Sequence, residues 1–127
     1  MLADARNSNF YPDWLDYIES EGAKDAFRYL VGLAAGLKNY TCYPGRHGDY
    51  RDFRFYDQHE EHPFAFGIAQ RWLLFYFRLP AIRSGRYKLQ DLEASFPSAK
   101  QVNSGEWTVR LRDIDDVRVL WKILQIT

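Results

Sequence analysis

As a strand, residues 70–80 would have one apolar face and one face of mixed polarity, and this stretch predicts the strand on which the rest of the chain packs. Consecutive side chains of a strand point to opposite faces, so odd-numbered residues share one face and even-numbered residues share the other. The odd face carries Arg71, Leu73, Phe75, Phe77 and Leu79, and the even face carries Trp72, Leu74, Tyr76 and Arg78. An apolar face opposite a mixed one is typical of a strand in the middle of an antiparallel sheet that is covered on one side. The mixed face is where we expect a ligand first.

Three more stretches have the same period of two and predict the other strands of the sheet. They are Tyr50–Tyr56, residues 64–70 and residues 106–112. In the second, Phe64 and Phe66 share one face with small residues on the other, and a tight turn is expected near residues 69–71. The stretches 39–49, 57–63, 81–88 and 98–105 predict loops or turns between the elements.

Apolar residues recur at helical spacing in four stretches, which predict helices over residues 12–22, 23–38, 89–95 and from 113 onward. The second is the strongest, because its apolar residues form a continuous stripe from Ala23. Gly32 and Gly36 interrupt it, and we interpret them as points of close approach by another backbone, since each costs about 1 kcal/mol relative to alanine. Asp113 is the expected N-cap of the last helix, with two carboxylates in the first turn, where the helix dipole favours negative charge.

The elements follow in the order α-α-β-β-β-α-β-α. This order predicts an α+β fold, a four-stranded, mainly antiparallel sheet with helices packed on one face. The chain of 127 residues is expected to form one domain. Residues 1–11 have no clear pattern and are expected to be frayed or to act as a flexible tether.

The end of the chain has a characteristic succession of elements. In residues 106–117, a strand with the inward-facing Trp107 leads through a short acidic turn into the terminal helix. This segment resembles the end of small α+β domains of the MmcQ/YjbR kind. The resemblance concerns the second half of the chain, rests on residues 106–117 and covers less than half of the chain. It implies a fold for that part but no function.

Composition and charge narrow the classes of function. Seventeen basic residues balance seventeen acidic ones, which argues against a general polyanion binder, because such proteins carry a large positive excess. Apolar residues make up 46% of the chain, enough for a core without a metal or a disulfide, and no cofactor is expected. The lone Cys42, the lack of a secretory pattern and the lack of a long apolar run favour a cytoplasmic protein that does not enter a membrane.

The strongest candidate binding surface combines cations with aromatic rings. Residues 71–88 hold five basic residues and no acidic one, and arginine outnumbers lysine twelve to five in the chain. Guanidinium groups suit phosphates, carboxylates and stacked rings, although the same side chains could simply cap the sheet with their aliphatic stems. The predicted binding residues of this surface are Trp72, Tyr76, Arg78, Arg83, Arg86, Lys88, Arg110 and Arg112.

Two smaller motifs lie in the loop predicted over residues 39–49. Two glycines flank Arg46 and His47, and backbone amides freed beside Arg46 would make an anion pocket, with an ordinary Pro-Gly turn as the alternative. Cys42, His47 and Asp49 supply the groups of a Cys-His nucleophile. Such groups usually come from separate elements, and no helix N-terminus follows Cys42 to activate it, so we expect no catalytic residue here.

The polar turn over residues 57–63 contains candidate metal ligands. Two histidines and three carboxylates lie within six residues, and these groups suit zinc, nickel or manganese. Their spacing is not the helical His-Glu-x-x-His of zinc proteases. A solvated turn is favoured, and His59 and His62 remain weak metal candidates.

Three hypotheses for function follow. The leading one is a small non-enzymatic binding or regulatory module. It engages an anionic partner, either nucleic acid or an acidic protein surface, through the mixed sheet face and the basic loop over residues 81–88. The second is a homo-oligomer that uses the aromatic face as a dimer interface. The third is a metal-dependent enzyme built on His59 and His62.

Overall fold

The fold is built on one antiparallel sheet. The computed structural model describes residues 1–3, 5–47 and 49–127. Its strands are β1 (Thr41–His47), β2 (Tyr50–Tyr56), β3 (Phe64–Ile68), β4 (Leu73–Phe77), β5 (Lys100–Gln101) and β6 (Trp107–Leu111). Its helices are α1 (Phe10–Tyr17), α2 (Glu21–Ala35), α3 (Leu79–Arg83), α4 (Leu89–Ser95) and α5 (Ile114–Leu124). Within the described residues, the sheet has six strands in the order β1-β2-β3-β4-β6-β5, so the α+β class is confirmed but the predicted count of four strands is wrong.

β4 lies inside the sheet, between β3 and β6, as its alternating pattern predicts. Its odd-numbered side chains are fully buried, and its even-numbered side chains are only partly buried. The strand is shorter than the predicted stretch, because a turn precedes it in which the amide of Ala69 donates to the carbonyl of Trp72 at 3.2 Å. This turn lies where the sequence predicts it.

A layer of phenylalanine rings forms the covered face of the sheet. The rings of Phe53 and Phe66 stack with centroids 4.9 Å apart, and those of Phe64 and Phe77 meet edge to face at 5.6 Å. Such pairs contribute about 0.5–1.5 kcal/mol each beyond the area that they bury. The fully buried phenylalanines of the three strands are Phe53, Phe55, Phe64, Phe66, Phe75 and Phe77.

Helices α2 and α5 join this layer in the core. Phe27 of α2 meets the ring of Phe66 edge to face at 6.2 Å. α2 is capped by Ser20, and α5 begins, as predicted, at Asp113, whose carboxylate accepts a hydrogen bond from the amide of Asp116 at 2.9 Å. In the described ranges, no helix combines the length and the apolar composition needed to cross a membrane.

Two strands and a short helix occupy stretches where loops were predicted. β1 contains Pro44, which is tolerated because an edge strand has one side without a strand neighbour. β5 is only two residues long and exposed, so no alternation marks it. α3 forms the start of the predicted basic loop, with Pro80 in its first turn, where a missing amide costs no helical hydrogen bond.

Residues 1–3 run beside β1. Leu2 forms a parallel bridge with Cys42, and the amide of Ala3 donates to the carbonyl of Cys42 at 2.9 Å. These contacts lie within the stretch that the sequence left without a predicted element. They give the edge of the sheet a neighbour at this point.

Close backbone approach occurs at Gly22. A Cβ atom at Gly22 would lie 2.7 Å from the carbonyl oxygen of Arg112, whereas a Cβ atom at Gly32 would meet nothing within 4 Å. At Gly36 it would meet only the carbonyl of Leu33 in the same helix, at 3.5 Å. The interpretation of Gly32 and Gly36 as backbone contacts is therefore wrong. Gly22 instead lets the start of α2 lie against the end of β6.

Gly22→Ala is expected to lower the free energy of unfolding by about 1–3 kcal/mol, because the added methyl group meets backbone that must shift. Gly32→Ala is the matched control in the same helix. It is expected to raise the free energy of unfolding by about 0.5–1 kcal/mol, because alanine loses less entropy than glycine on entering a helix. Urea unfolding measures both changes. Equal effects of the two substitutions would contradict the contact at Gly22.

Candidate binding groove on the open face of the sheet

The sheet face opposite the phenylalanine layer carries two small residues between larger ones. Ala65 and Gly67 of β3 point to this face. Ala65 pairs with Arg54 of β2 and with Tyr76 of β4, and Gly67 pairs with Asp52. The small residues therefore form the floor of a groove, and the longer side chains of the neighbouring strands form its sides. We call this feature the open-face groove.

The open-face groove has a volume of about 490 Å³ and opens to solvent. Its second wall is the loop that joins β5 to β6, residues 102–106. The volume falls within the range of about 300–1,000 Å³ that is typical of small-molecule sites. The lining residues are Tyr50, Arg51, Asp52, Arg54, Ala65, Gly67, Tyr76, Arg78, Val102, Asn103, Ser104 and Glu106.

Two arginines in the groove are each held by a carboxylate. Arg54 Nε donates to Asp52 Oδ2 at 2.7 Å, and Arg78 Nε donates to Glu106 Oε2 at 2.6 Å. All four side chains are partly buried, with exposed fractions between 14% and 31%. The hydroxyl of Ser104 donates to the other carboxylate oxygen of Glu106 at 2.9 Å. Because charge-assisted hydrogen bonds are strong and a guanidinium is planar, each bond limits the orientation of the whole group.

The surroundings keep the groove donors protonated. Burial would lower the pKa of Arg54, but hydrogen bonds to Tyr56 and Asp52 outweigh this effect and raise it. Burial raises the pKa of Tyr76 above its ordinary value, and the charge of Glu106 raises it further. At neutral pH the guanidinium is therefore charged and the phenol keeps its proton, so both can donate hydrogen bonds.

A second cavity, of about 480 Å³, adjoins the open-face groove and shares Arg78 and Glu106 with it. His62 lines this cavity, with its ring centroid 5.2 Å from that of Tyr56. Burial lowers the pKa of His62, and the charges of Arg78 and Arg54 lower it further, against a smaller opposing effect of nearby carboxylates. His62 is therefore neutral at pH 7 and lies within electrostatic reach of both groove arginines.

Three of the predicted binding residues come together here. Tyr76 and Arg78 line the open-face groove, and Arg83 lines the adjoining cavity next to Arg78. Tyr76 and Arg78 are half-buried, and Arg83 is exposed. These three residues belong to one continuous surface, although eight were predicted on this surface from the sequence.

Three other predicted residues gather at the end of the sheet near the turn between β3 and β4. The guanidinium of Arg110 lies over the ring of Trp72, 4.2 Å from its centroid. Arg112 and Trp72 line a separate shallow cavity beside Glu19. A cation–π contact of this kind stabilises the pair of Arg110 and Trp72 within the protein, with or without a ligand.

The remaining predicted cations lie elsewhere. Arg86 donates through Nη2 to the carbonyl of Gln125 at the end of α5, at 3.0 Å, and Lys88 is exposed at the start of α4. Arg46 lies in strand β1 beside Asp13, in a cavity lined by α1. The amides around Arg46 belong to a strand ladder, so the expected loop pocket is not formed there, while Gly48 and the side chain of His47 lie outside the described residues.

Ten of the twelve groove residues were missed from the sequence, among them Tyr50, Asp52, Arg54 and Glu106. The signal for the first three of these four was present in the alternation of β2, which sends them to one face, and in the two small residues of β3 beside them. Nothing local to Glu106 indicated that it would meet Arg78 across two paired strands. That contact depends on β6 lying next to β4.

The other candidate chemistries find little support. Cys42 is fully buried, and burial raises the pKa of its thiol to about 12, so it is not a nucleophile at neutral pH. The carboxylate of Asp57 accepts hydrogen bonds from the amides of His59 and Glu61, at 2.8 and 3.1 Å, and so holds the turn. Among the residues that the structure describes, no group of three histidine, cysteine or acidic side chains is placed to hold a metal.

The lowered pKa of His62 predicts a pH dependence. Because the unfolded chain binds a proton near pH 6.5 and the folded protein only at lower pH, the free energy of unfolding is expected to fall as the pH drops below about 6.5. His62→Asn should remove the part of this decrease in the free energy of unfolding that is due to His62. His59→Asn is the control in the same turn. Urea unfolding at several pH values and NMR titration of the imidazole measure the effect. A pKa of His62 at or above its ordinary value would contradict the geometry.

Comparison of the chain with models of protein families, with curated proteins and with solved structures found no match. The resemblance to MmcQ/YjbR domains therefore rests on residues 106–117 alone. The function has to be inferred from the geometry of the open-face groove.

Proposed function

We propose that this protein is a small non-enzymatic binding module that holds an anionic group in the open-face groove. The observation that carries the proposal is the pair of guanidinium groups, of Arg54 and Arg78, that are each oriented by a carboxylate at the edge of a floor made of small residues. A guanidinium has five N–H donors, so each arginine keeps donors beyond the one that its carboxylate accepts. Arginine forks of this kind suit phosphate and carboxylate groups.

The charge of the groove favours a small anion over a polymer. Three arginines and two carboxylates line it, and the adjoining cavity adds Glu60, Glu61 and Arg83. Nucleic-acid binding surfaces need a wide excess of positive charge, because they neutralise many phosphates at once. The cations of residues 71–88 and of β6 are distributed over separate parts of the protein, and Glu106 neutralises Arg78. The experiment therefore has to distinguish a small anion from nucleic acid and from an acidic protein surface.

The two alternative functions have weaker support. A dimer through this face would bury two guanidinium–carboxylate pairs, whereas the cores of protein interfaces are depleted in charge. A metal-dependent enzyme built on His59 and His62 has no third ligand in the described ranges. We propose a cytoplasmic location on the same grounds as from the sequence, a single cysteine that needs no oxidising compartment.

Inorganic phosphate at low ionic strength is expected to bind the protein and to raise its melting temperature. The double variant Arg78→Gln, Glu106→Gln keeps the net charge but removes the guanidinium, and it should bind phosphate at least about tenfold more weakly, since a hydrogen bond to a charged group contributes about 1.5–3 kcal/mol. The control is Arg28→Gln, Asp25→Asn, the same change at an exposed pair on α2, which should leave the affinity unchanged. Isothermal titration calorimetry measures all three proteins.

The proposed function is wrong if phosphate does not bind at low ionic strength. It is also wrong if the Arg78, Glu106 variant and the parent bind phosphate with equal affinity. Tight binding of a short single-stranded oligonucleotide or of an acidic peptide, without phosphate binding, would identify a polymer as the partner instead. Light scattering that finds a dimer broken by the same variant would favour the oligomer instead.

A further inference from the structure

Tyr50 presents an aromatic ring to solvent at one end of the open-face groove. It is the first residue of β2, and it is 74% exposed, the highest value among the large apolar residues in the described ranges. Its neighbours on the same face, Asp52 and Arg54, are partly buried and paired. A ring that lines a groove without being covered by the chain is suited to contact with a ligand, because rings are the side chains that contribute most to binding.

Tyr50 and Arg54 are the first and last residues of β2 that line the groove. They are four residues apart and share the open face of the strand, which separates their Cα atoms by about 13 Å. Arg78 lies toward the Arg54 end, since its amide donates to the carbonyl of Pro63 at the start of β3, which lies beside the end of β2. A ligand that fills the groove from end to end therefore needs a planar group and an anionic group separated by a spacer.

The floor between these ends is open. Gly67 lies beside Asp52, and a Cβ atom built on it would meet only the carbonyl oxygen of Arg51, at an ordinary contact distance of 3.7 Å. Ala65 is the other floor residue. The amide of Asn103 on the second wall offers a donor and an acceptor to the edge of a planar ring.

We propose that the open-face groove binds a mononucleotide, with the phosphate at Arg54 and Arg78 and the base against the ring of Tyr50. This inference rests on the proposed function, since it assigns the anionic group to the same arginines. A nucleotide has a planar base and a phosphate joined by a sugar, which matches the separation along β2. An aromatic acid whose carboxylate is bonded directly to its ring would reach only one end. Stacking of one base on an aromatic side chain contributes about 1–3 kcal/mol.

The experiment compares four probes: inorganic phosphate, adenosine, adenosine 5′-monophosphate and benzoate. Adenosine lacks the phosphate and is expected to bind more weakly than the nucleotide. The nucleotide is expected to bind the parent protein at least about fivefold more tightly than phosphate, which corresponds to the lower end of the stacking contribution. Tyr50→Leu should remove this advantage, so that the nucleotide and phosphate bind the variant about equally. Tyr50→Phe keeps the ring and should keep the advantage. Isothermal titration calorimetry measures each affinity.

A second variant tests the same site from the floor. Gly67→Val places a branched side chain on the floor between the base and the phosphate, in a strand that has room for its Cβ atom. It should remove the excess of nucleotide affinity over phosphate affinity, measured as the ratio of the two in the same variant. Circular dichroism and urea unfolding establish that the variant is folded.

The outcomes separate this inference from the function on which it rests. If phosphate does not bind the parent protein, both are wrong. If phosphate binds but the nucleotide binds no more tightly, or if Tyr50→Leu and Gly67→Val leave its affinity unchanged, the base site is wrong and the anion site stands. Tighter binding of benzoate than of the nucleotide would also overturn the nucleotide as the ligand class.

Discussion

Burial of aromatic rings on one side of the sheet is the constraint on which the rest of this structure depends. In β2, β3 and β4, phenylalanines occupy alternate positions and all of them are buried. Successive side chains of a strand point in opposite directions, so burial of one set leaves the other set directed away from the core. The open face is therefore a direct consequence of the core, and a shift of one residue in register would exchange the two sets.

The open face has a groove because β3 carries small side chains where the neighbouring strands carry large ones. Ala65 and Gly67 lie between strands that carry arginine, aspartate and tyrosine at the paired positions. The strands are held by the core beneath them, so Asp52, Arg54 and Tyr76 lie on elements that are packed from below. The carboxylates of Asp52 and Glu106 then limit the orientations of the two guanidinium groups. Rigid strands and paired charges together provide the preorganisation that a binding site needs.

The cations that look like one cluster in the sequence have separate environments in the structure. Residues 71–88 contain the end of one turn, the strand β4, the helix α3 and a second turn, so the chain changes direction more than once. Arg78 consequently meets Glu106 of the neighbouring loop, whereas Arg86 meets the carbonyl of Gln125 at the end of α5. Local density of charge in a sequence is a weak indicator of a charged surface for this reason. The small residues of β3 were a better indicator of a binding site, because small side chains opposite large ones on paired strands leave room above the sheet.

The sequence by itself determined the two faces of β2, β4 and β6, the extent of α4 and the start of α5 with its cap at Asp113, because periodicity and capping depend on residues close together in the chain. It also indicated which face of β4 would be covered. Only the tertiary structure decided that Thr41–His47 pairs as an edge strand and that β5 extends the sheet, since both are held by partners distant in sequence. The same holds for the groove, whose walls come from three separate segments. Their meeting depends on the order of strands in the sheet, which the folding of the whole core selects and no local pattern encodes.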